Sequence, residues 1–531
     1  MISTLFLCLM LSDVDALRLS SLDGPEGGTE YLIVCPDELG PAAAALAAHR
    51  ERHGLRASWV SLSQIETVYG TGPEAILGFL RRAVTEWDGE ELRYLLLMGD
   101  TPSSGYAGVP TFRVPGTRKW KGPIASDHPY ACPLGGSWPM LAVGRLPVSD
   151  LAEARGLVRR IRERDDDRSP GAWRHRIALF GERGGFGARA DAIIENGVRV
   201  ALDLLVPQTL QIEATVELPG SPFFPDPADF HDALIESIHR GNVATIYAGH
   251  GNERGLGRVW TGRRSRPIFD GGQVGNLKIE EGGSVFFLFA CSTTAFDEPE
   301  ASFAERLVLH ETGPVAVIGA SHLSHPFADI QLGRCMCRVL GESGERRLGD
   351  LFLAGKRALA SPDWFAGLVE VLARASGEVS EQEMRELPGY ELAIYTLLGD
   401  PGMTFGLPRG RVSMITEVNG RTVHVRGEVP GIEGGSVKLA LHRRRGRPSD
   451  QGAGPGPRSD DDEVASRERR LETWRRVNDT EVFSLEVEIT GGRFEAELVV
   501  PGGVRSGLYV LHAYAHGAEH DATGAADCWL R

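Results

Sequence analysis

Two short apolar runs of the sequence end in residues that could do covalent chemistry. The segment VATIYAGHGN, residues 243–252, carries His250 between two glycines, and the segment SVFFLFACST, residues 284–293, carries Cys291. A cysteine is a competent nucleophile as its thiolate, and a neighbouring histidine can remove its proton and later protonate the leaving group. The chemistry that this pair suggests is acyl transfer.

The residues beside the pair fit the same chemistry. Gly249 and Gly251 leave space for a substrate backbone and let the chain turn sharply after the strand. Backbone N–H groups next to His250 and Cys291 could form an oxyanion hole, in which each donor contributes about 3 kcal/mol. Taken singly, a cysteine or a histidine at a strand end usually has a structural role. The functional interpretation therefore depends on both occurring together.

Length and charge limit the classes of function. The chain has 531 residues, which is more than one hydrophobic core usually serves and predicts two or three domains. Its formal net charge of −15 is opposite to that of a protein whose Lys and Arg residues bind a phosphate backbone. We therefore expect a soluble globular protein without a nucleic-acid partner.

The cysteines and the N-terminal residues bear on the compartment. The seven cysteines are odd in number and widely scattered, which is not typical of a secreted disulfide framework. Residues 2–11, ISTLFLCLML, are apolar enough for the core of a signal peptide, but they lack a basic segment and a clear cleavage site. No later stretch has the ~20 continuous apolar residues that span a bilayer. We expect a cytoplasmic protein without a membrane partner; secretion is the alternative if residues 2–11 belong to a signal peptide.

The elements up to about residue 408 alternate between strand and helix patterns. This alternation predicts a parallel sheet with helices on both faces, since continuous apolar strand runs are typical of strands that are covered on both sides. Polar groups just beyond the carboxyl ends of such strands lie where open α/β sheets bind ligands. The strand-type runs are YLIVC, ASWVSL, RYLLLMGD, RIALF, VATIYAGH, SVFFLFA and GPVAVIGAS.

The pattern changes after residue 412. The runs TVHVRGEV, SVKLALH, FSLEVEI, RFEAELVV and GLYVLHAYA alternate apolar and polar residues, which predicts a small all-β sandwich. Residues 443–470 form an insert between two of these runs that is rich in Gly, Pro and charged residues. We predict that this insert is a disordered loop.

The ordered blocks around the pair resemble those of the gingipain-like cysteine peptidases, which have the caspase-hemoglobinase fold. YAGHGN and FLFACSTTAFDEP match the histidine and cysteine motifs of that family in the same order. The flanking segments that also match the family are YLLLMGD, SDHPYACPLGG, AVGRLPVSDLAEARGLVRRI, ASFAERLVLHETGPVAVIGAS and YTLLGDPGMTF. The resemblance covers about residues 28–408. It implies an α/β fold, a caspase-hemoglobinase-like parallel sheet with flanking helices in two subdomains, followed by an Ig-like β-sandwich.

The domain boundaries follow from these patterns together with the resemblance. Residues 1–27 form an N-terminal segment, and residues 28–170 form the first α/β subdomain. Residues 171–408 form the catalytic α/β subdomain, which contains both chemical motifs. Residues 409–531 form the Ig-like sandwich with the insert at 443–470.

The resemblance implies roles for individual residues. His250 would be the general base and Cys291 the nucleophile, while Glu182 would orient His250 and Asp191 would face a basic P1 side chain. A solvated loop carboxylate is the alternative for both acids. The segment ASHLSHPFAD differs from the aromatic-bearing loop of the arginine-specific members, so the basic P1 preference depends on Asp191. We assign substrate contacts to Asp191, Gly249, Gly251, Ala290, Ser321 and His322.

A second group of residues has the side chains of a zinc site. It comprises His322, His325, Cys335 and Cys337. However, Cys335 and Cys337 are two positions apart on a predicted helix, about 200° around its axis, and cannot easily bind one ion. We therefore predict no metal at the active site.

Three acidic residues, Asp100, Asp127 and Asp400, stand next to Gly or Pro turns. Their expected role is to cap these turns. The calcium sites of the similar family leave structural calcium as the alternative. Apart from that alternative, we expect no cofactor.

The function that these observations predict is a cysteine endopeptidase, a hydrolase, which cleaves peptide bonds with the His250–Cys291 dyad and prefers a basic P1 residue. Its expected partners are a protein or peptide substrate and a possible regulatory protein. A catalytically silent caspase-like scaffold or partner-binding protein is the first alternative, and an esterase or transpeptidase with the same dyad is the second. The intact dyad favours the peptidase, because a scaffold has no physical need of both residues.

Overall fold

The structure is a computed structural model. It describes residues 17–89, 91–102, 108–117, 119–183, 206–218, 221–261, 264–279, 281–341, 347–361, 363, 366–367, 370–371, 380–444, 463–518 and 520–531. Within these ranges, none of the helices combines the length and the apolar composition that crossing a bilayer requires.

The first α/β subdomain consists of alternating strands and helices. Its strands are β1 (Tyr31–Cys35), β2 (Ala57–Ser61), β3 (Tyr94–Met98), β4 (Phe112–Pro115), β5 (Pro123–Ser126) and β6 (Ala142–Leu146). Its helices are α1 (Gly40–Arg52), α2 (Leu62–Tyr69), α3 (Pro73–Glu86), α4 (His128–Ala131) and α5 (Leu151–Asp166). Every residue of β1 and β3 is buried, which explains the continuous apolar runs in the sequence.

The second α/β subdomain carries both chemical motifs. Its strands are β7 (Arg176–Glu182), β8 (Gln211–Glu217), β9 (Ala244–Ala248), β10 (Gly251–Asn252), β11 (Gly255–Leu256), β12 (Arg258–Thr261), β13 (Arg264–Pro267), β14 (Val285–Phe289), β15 (Ala316–Ala320) and β16 (Tyr395–Leu398). Its helices are α6 (Phe230–His239), α7 (Phe303–Leu309), α8 (Pro326–Gly341), α9 (Leu348–Ala360) and α10 (Glu381–Ile394).

One ten-stranded sheet joins the two subdomains. Its order is β2-β1-β3-β6-β16-β15-β14-β9-β7-β8. Neighbouring strands are parallel, as predicted, except that β16 is antiparallel to β15. Helix α10 ends at Ile394 and β16 begins at the next residue. The continuous sheet means that the residues after β7, β9, β14 and β15 share one edge.

Two of the acids that were predicted to cap turns form buried ion pairs. Arg145 donates to both oxygens of Asp127 at 2.8 and 2.9 Å, and Arg50 donates twice to Asp400 Oδ2, at 3.0 and 2.7 Å. All four side chains are buried, and a buried charge needs such a partner. The capping prediction is wrong for Asp127, whose carboxylate makes no cap hydrogen bond. It is confirmed for Asp400, which also accepts from the N–H of Gly402 at 2.7 Å.

The described residues of the C-terminal domain are all-β apart from one helix, as predicted. Its strands are β17 (Gly410–Arg411), β18 (Ser413–Asn419), β19 (Thr422–Glu428), β20 (Gly434–Arg443), β21 (Glu481–Thr490), β22 (Arg493–Val499), β23 (Gly507–His516) and β24 (Asp521–Leu530). They form one eight-stranded sheet in the order β17-β24-β23-β20-β21-β22-β19-β18. The sheet curls toward a barrel, since Thr416 Oγ1 of β18 donates to Asp527 O of β24 at 3.5 Å.

Helix α11 (Glu463–Asn478) corrects the prediction for the insert 443–470. Residues 463–470 belong to this helix and Arg443 belongs to β20, so the prediction of a disordered loop is wrong for them. The helix packs on edge strand β8 through Trp474, which is 1 % exposed and whose indole N–H donates to Ala214 O at 3.1 Å. The side chain of Asn478 pairs with both backbone groups of Ala214, at 2.8 and 2.9 Å. Helix α11 therefore covers an edge that would otherwise be open to strand pairing.

Candidate active site

Strands β9 and β14 bring His250 and Cys291 to the same end of the sheet. The two strands are adjacent and parallel, and their register pairs Ala248 with Phe289. His250 and Cys291 each follow their paired residue by two positions, so they leave the sheet at one level. The N–H of Gly249 donates to Phe289 O at 3.1 Å, which extends the pairing toward the two residues. His250 is exposed, and Cys291 is half-buried.

Glu182, the last residue of β7, holds the histidine loop. Its Oε2 atom accepts hydrogen bonds from the backbone N–H of His250 at 2.9 Å and from the hydroxyl of Tyr247 at 2.7 Å. Its Oε1 atom accepts from the N–H of Arg258 at 3.2 Å. The phenol oxygen of Tyr247 also lies 2.8 Å from His250 O. The structure thus places Glu182 beside His250, where a carboxylate can fix the conformation of the loop.

The glycines beside His250 are required by the packing of the protein itself. A Cβ atom at Gly249 would lie 2.6 Å from Glu182 Cβ and 2.7 Å from the Tyr247 hydroxyl. A Cβ atom at Gly251 would lie 2.9 Å from Ala290 Cβ and 3.0 Å from Cys291 O. These glycines therefore permit the close approach of the histidine loop to Glu182 on one side and to the cysteine loop on the other. Space for a substrate backbone was the expected reason, and the structure supplies an intramolecular one.

The residue after Cys291 has an unusual backbone conformation. Ser292 has a φ of 53°, and among the described residues it is the one non-glycine residue with a positive φ. Its N–H donates to His322 O at 2.9 Å, and the N–H of Thr294 donates to Ala320 O at 3.0 Å. A left-handed non-glycine residue costs of order 1–3 kcal/mol and persists only where its surroundings enforce it.

The thiol of Cys291 is held in an environment that favours its neutral form. Its Sγ atom donates to Ser324 O at 3.7 Å. Burial raises the pKa of the Cys291 thiol, and the nearby carboxylates of Asp329 and Glu391 raise it further. A thiol with a raised pKa is not a spontaneous thiolate at neutral pH. It needs a base to become a nucleophile.

A pair of buried acids supports the loop that faces this thiol. Asp329 accepts hydrogen bonds from Tyr395 at 2.6 Å and from the Ser324 hydroxyl at 3.2 Å, and Glu391 accepts from the N–H of His325 at 2.8 Å. Burial raises the pKa of both carboxyls, and the charge of Asp329 raises the pKa of Glu391 further. Both carboxyls are therefore protonated more readily than an exposed carboxyl group.

The remaining predicted substrate contacts lie on the same rim of the sheet, with one exception. Ser321 follows β15, and its hydroxyl donates to Ala125 O at 3.1 Å inside the protein. His322 Nδ1 lies 2.7 Å from the hydroxyl of Tyr390, and burial lowers the pKa of this histidine. Ala290 is buried between β14 and Cys291. Asp191 lies outside the residues that the structure describes.

A comparison with protein-family models identifies the family of this chain. A family model described as Peptidase family C25 matches residues 25–405. The chain belongs to peptidase family C25. It is a cysteine-type peptidase, and hence a hydrolase. The predicted resemblance to the gingipain-like peptidases is thereby confirmed.

Solved structures share the fold of this C25 peptidase. The Arg-specific cysteine proteinase gingipain R is 16% identical to it, with 96% of this chain and 100% of that chain covered and a TM-score of 0.52. The complex of the RgpB pro- and mature domains from Porphyromonas gingivalis is also 16% identical, with coverages of 94% and 100% and a TM-score of 0.54. A comparison with curated proteins finds no match. At this identity the solved structures establish the fold alone.

Metal donors in the described part of this C25 peptidase cluster away from the cysteine. His49 on α1, His53 directly after that helix and Asp166 on α5 bring their ligand atoms within 4.8 Å of one another. His49 Nε2 is also 3.3 Å from the buried Asp165, so its ring is already part of an ion-pair network. Cys335 and Cys337 lie on α8, as predicted, two positions apart.

Sequence reasoning missed three contributors to the site. These are Tyr247, which holds Glu182 and the histidine loop, Ser292 with its left-handed backbone, and Ser324, whose carbonyl faces the thiol. Only Tyr247 could have been recognised from the sequence, because a tyrosine in a buried strand needs a hydrogen-bond partner for its hydroxyl. The other two roles depend on backbone geometry and are invisible in residue types.

Proposed function

We propose that this C25 peptidase is an endopeptidase that cleaves after basic residues through a His250–Cys291 dyad. One observation carries the proposal: the in-register pairing of β9 with β14, from which both residues emerge at one level. The strained turn at Ser292 and the Glu182 contact behind His250 support it. Strain and preorganised hydrogen bonds of this kind concentrate at functional sites.

The proposed mechanism begins with a neutral thiol. Because the pKa of Cys291 is raised by burial, His250 acts as a general base when the substrate arrives and takes the Sγ proton. The thiolate attacks the scissile carbonyl carbon, and backbone N–H groups beside Cys291 stabilise the oxyanion. His250 then gives the proton to the leaving amine, the C–N bond breaks, and water hydrolyses the thioester.

The proposed P1 preference depends on Asp191. A carboxylate at the base of a pocket binds a guanidinium in two parallel hydrogen bonds, which favours Arg over Lys. The Arg specificity of gingipain R is a property of that protein. For this chain, Asp191→Ala should lower kcat/KM for P1 Arg peptides more than for P1 Leu peptides. A library profile that returns an acidic P1 would contradict the proposal.

An electrophilic peptide probe with a P1 Arg tests the dyad directly. We expect covalent labelling of Cys291 by mass spectrometry, and loss of labelling in His250→Ala and Cys291→Ala. Cys337→Ala is the matched control, because Cys337 is also half-buried but lies on α8, and labelling should persist there. Labelling that survives Cys291→Ala would refute the dyad.

A further inference from the structure

A cavity of about 490 Å³ lies beside His250. Its lining includes His250, Arg254, Arg258, Trp260, Glu182 and Asp270. Strand β9 has β14 on one side and β7 on the other. Glu182 ends β7 and lines the cavity, whereas Cys291, which the structure describes, is not among the lining residues. This His-side cavity therefore lies on the β7 side of His250, beside Glu182.

The chemistry of the proposed reaction assigns a role to that side. The imidazole that takes the proton from Cys291 must later deliver it to the leaving nitrogen, so this nitrogen has to lie within hydrogen-bond reach of the ring. The acyl part of the substrate stays on the sulfur. The leaving part must consequently extend past His250, and the His-side cavity is the space next to the ring in that direction.

The basic and the acidic side chains that line the cavity differ in their hydrogen-bond partners. Arg254 and Arg258 are both exposed. Two nitrogens of the Arg258 guanidinium donate to Ser265, at 2.9 and 3.1 Å, which fixes the group on the β12–β13 hairpin. The two acids of the lining are bound to backbone: Glu182 accepts from N–H groups as described above, and Asp270 Oδ1 accepts from the N–H of Gly272 at 3.0 Å.

Trp260 adds an apolar surface to the same cavity. Its side chain lies on β12 and is 55 % exposed, which is unusual for the largest apolar side chain. An exposed aromatic ring next to guanidinium groups suits a peptide that packs one residue against the ring and directs an anionic group to the arginines.

We propose that the His-side cavity binds the leaving-group side of the substrate and that Arg254 and Arg258 select a carboxylate there. The inference rests on the proposed function, because it takes its direction from the proton transfer by His250. The carboxylate can be an acidic side chain or the C-terminus of a short leaving peptide, since guanidinium groups bind both in the same way. The site would thus make cleavage depend on the residues after the scissile bond.

Hydrolysis of matched fluorogenic peptides tests this inference. The peptides share a P1 Arg and carry Glu or Gln at one of the three positions after the scissile bond. For the best position we expect kcat/KM to be about tenfold higher with Glu, a typical gain from a charge-assisted pair. Arg254→Gln and Arg258→Gln should each reduce this ratio, and the double variant should bring it near 1. A Lys peptide should become the better substrate in the Arg254→Glu, Arg258→Glu variant.

Arg266→Gln is the matched control, because Arg266 lies on the same hairpin, is exposed and does not line the cavity. It should keep the wild-type ratio. Equal rates for Glu and Gln peptides in the wild type, at all three positions, would overturn the inference. A ratio that persists in the double variant would also overturn it.

Calorimetric binding measurements test the anion site independently of peptide cleavage. The Cys291→Ala variant is titrated with the dipeptides Ala-Glu-amide, Ala-Gln-amide and Ala-Gln with a free carboxyl. We expect the amide of Ala-Gln to bind at least about tenfold more weakly than one of the two carboxylates, and the tighter one identifies the source of the anion. If no peptide is cleaved but this difference is found, the proposed function fails and the anion site stands. Equal affinity for all three dipeptides would contradict the proposed anion site.

Discussion

Glu182 Oε2 lies 2.9 Å from the backbone nitrogen of His250 and accepts its hydrogen bond. The Tyr247 hydroxyl donates to the same carboxylate oxygen at 2.7 Å, and its oxygen lies 2.8 Å from His250 O. The carboxylate thus binds the backbone N–H of His250, and the Tyr247 hydroxyl, which has one proton, lies within hydrogen-bond distance of both Glu182 Oε2 and His250 O. Three consecutive strands in the sheet, β7, β9 and β14, contribute Glu182, His250 and Cys291 in that spatial order.

Removing the Tyr247 hydroxyl should loosen the histidine loop. In Tyr247→Phe we expect kcat to fall by about tenfold with little change in KM, because the loop position affects proton transfer more than ground-state binding. Losing the buried hydrogen bond should also reduce the free energy of unfolding by about 1–2 kcal/mol. Steady-state kinetics and urea unfolding measure the two effects.

Tyr130→Phe is the matched control for that variant. Tyr130 is buried, and its hydroxyl donates to Pro110 O at 2.7 Å in the first subdomain. The same atom is removed and one hydrogen bond is lost, so stability should fall while kcat stays at the wild-type level. A fall in kcat of the same size in both variants would mean that Tyr247 acts through stability alone.

The sequence could predict the two reacting residues but not the network behind them. Apolar runs that end in Gly-His-Gly and in Ala-Cys identify strand ends, and parallel strands align their carboxyl ends at one edge. The register that puts His250 level with Cys291 arises from packing across the whole sheet. The contact from Tyr247 to Glu182 joins residues on two strands of a sheet whose order cannot be read from local patterns.

Alkylation of Cys291 should depend on pH as expected for a thiol with a raised pKa. Because the thiolate is the reactive form, the rate with iodoacetamide should keep rising through and beyond pH about 8.5, the ordinary value for cysteine. Asp329→Asn removes a carboxylate that raises the pKa of Cys291, so the profile should move to lower pH. A rate that is already constant from pH 6 upward would indicate a preformed thiolate–imidazolium pair.

The buried acids under the loop should make stability depend on pH. The pKa of Glu391 is raised in the folded state by burial and by Asp329, so between its unfolded and folded pKa values the folded state holds a proton that the unfolded chain releases. The free energy of unfolding should therefore fall as pH rises above about 4.3, the ordinary pKa of glutamate, by up to about 1.4 kcal/mol per pH unit for one proton. Glu391→Gln should flatten this slope in urea titrations. The exposed Glu417→Gln should leave it unchanged, and an unchanged slope in Glu391→Gln would contradict the assignment.

The last eight residues of the insert, 463–470, show where composition misleads. Residues 443–470 are polar and rich in Gly and Pro, which favours disorder. The residue that anchors the helix, Trp474, lies just beyond that stretch, and its partner Ala214 is on the edge strand of another domain. The buried indole, the ion pairs of Arg467 with Asp229 and of Arg470 with Asp226, and an edge that needs covering outweigh the local composition. None of these could be recognised before the sheet order was known.

Self-cleavage should be confined to the first part of the insert. Arg467 and Arg470 are on α11 and donate through Nε to Asp229 and Asp226, at 2.8 and 2.9 Å, so a protease cannot take them up as an extended chain without unfolding the helix. If the enzyme prefers Arg, we expect slow nicking within residues 445–462, with fragments that remain associated through α11 and the β-sheet. Intact-mass measurement of the wild type and Cys291→Ala over time checks this. Equal nicking in both would point to a contaminating protease, and a cut after Arg467 or Arg470 would contradict the protection by the helix.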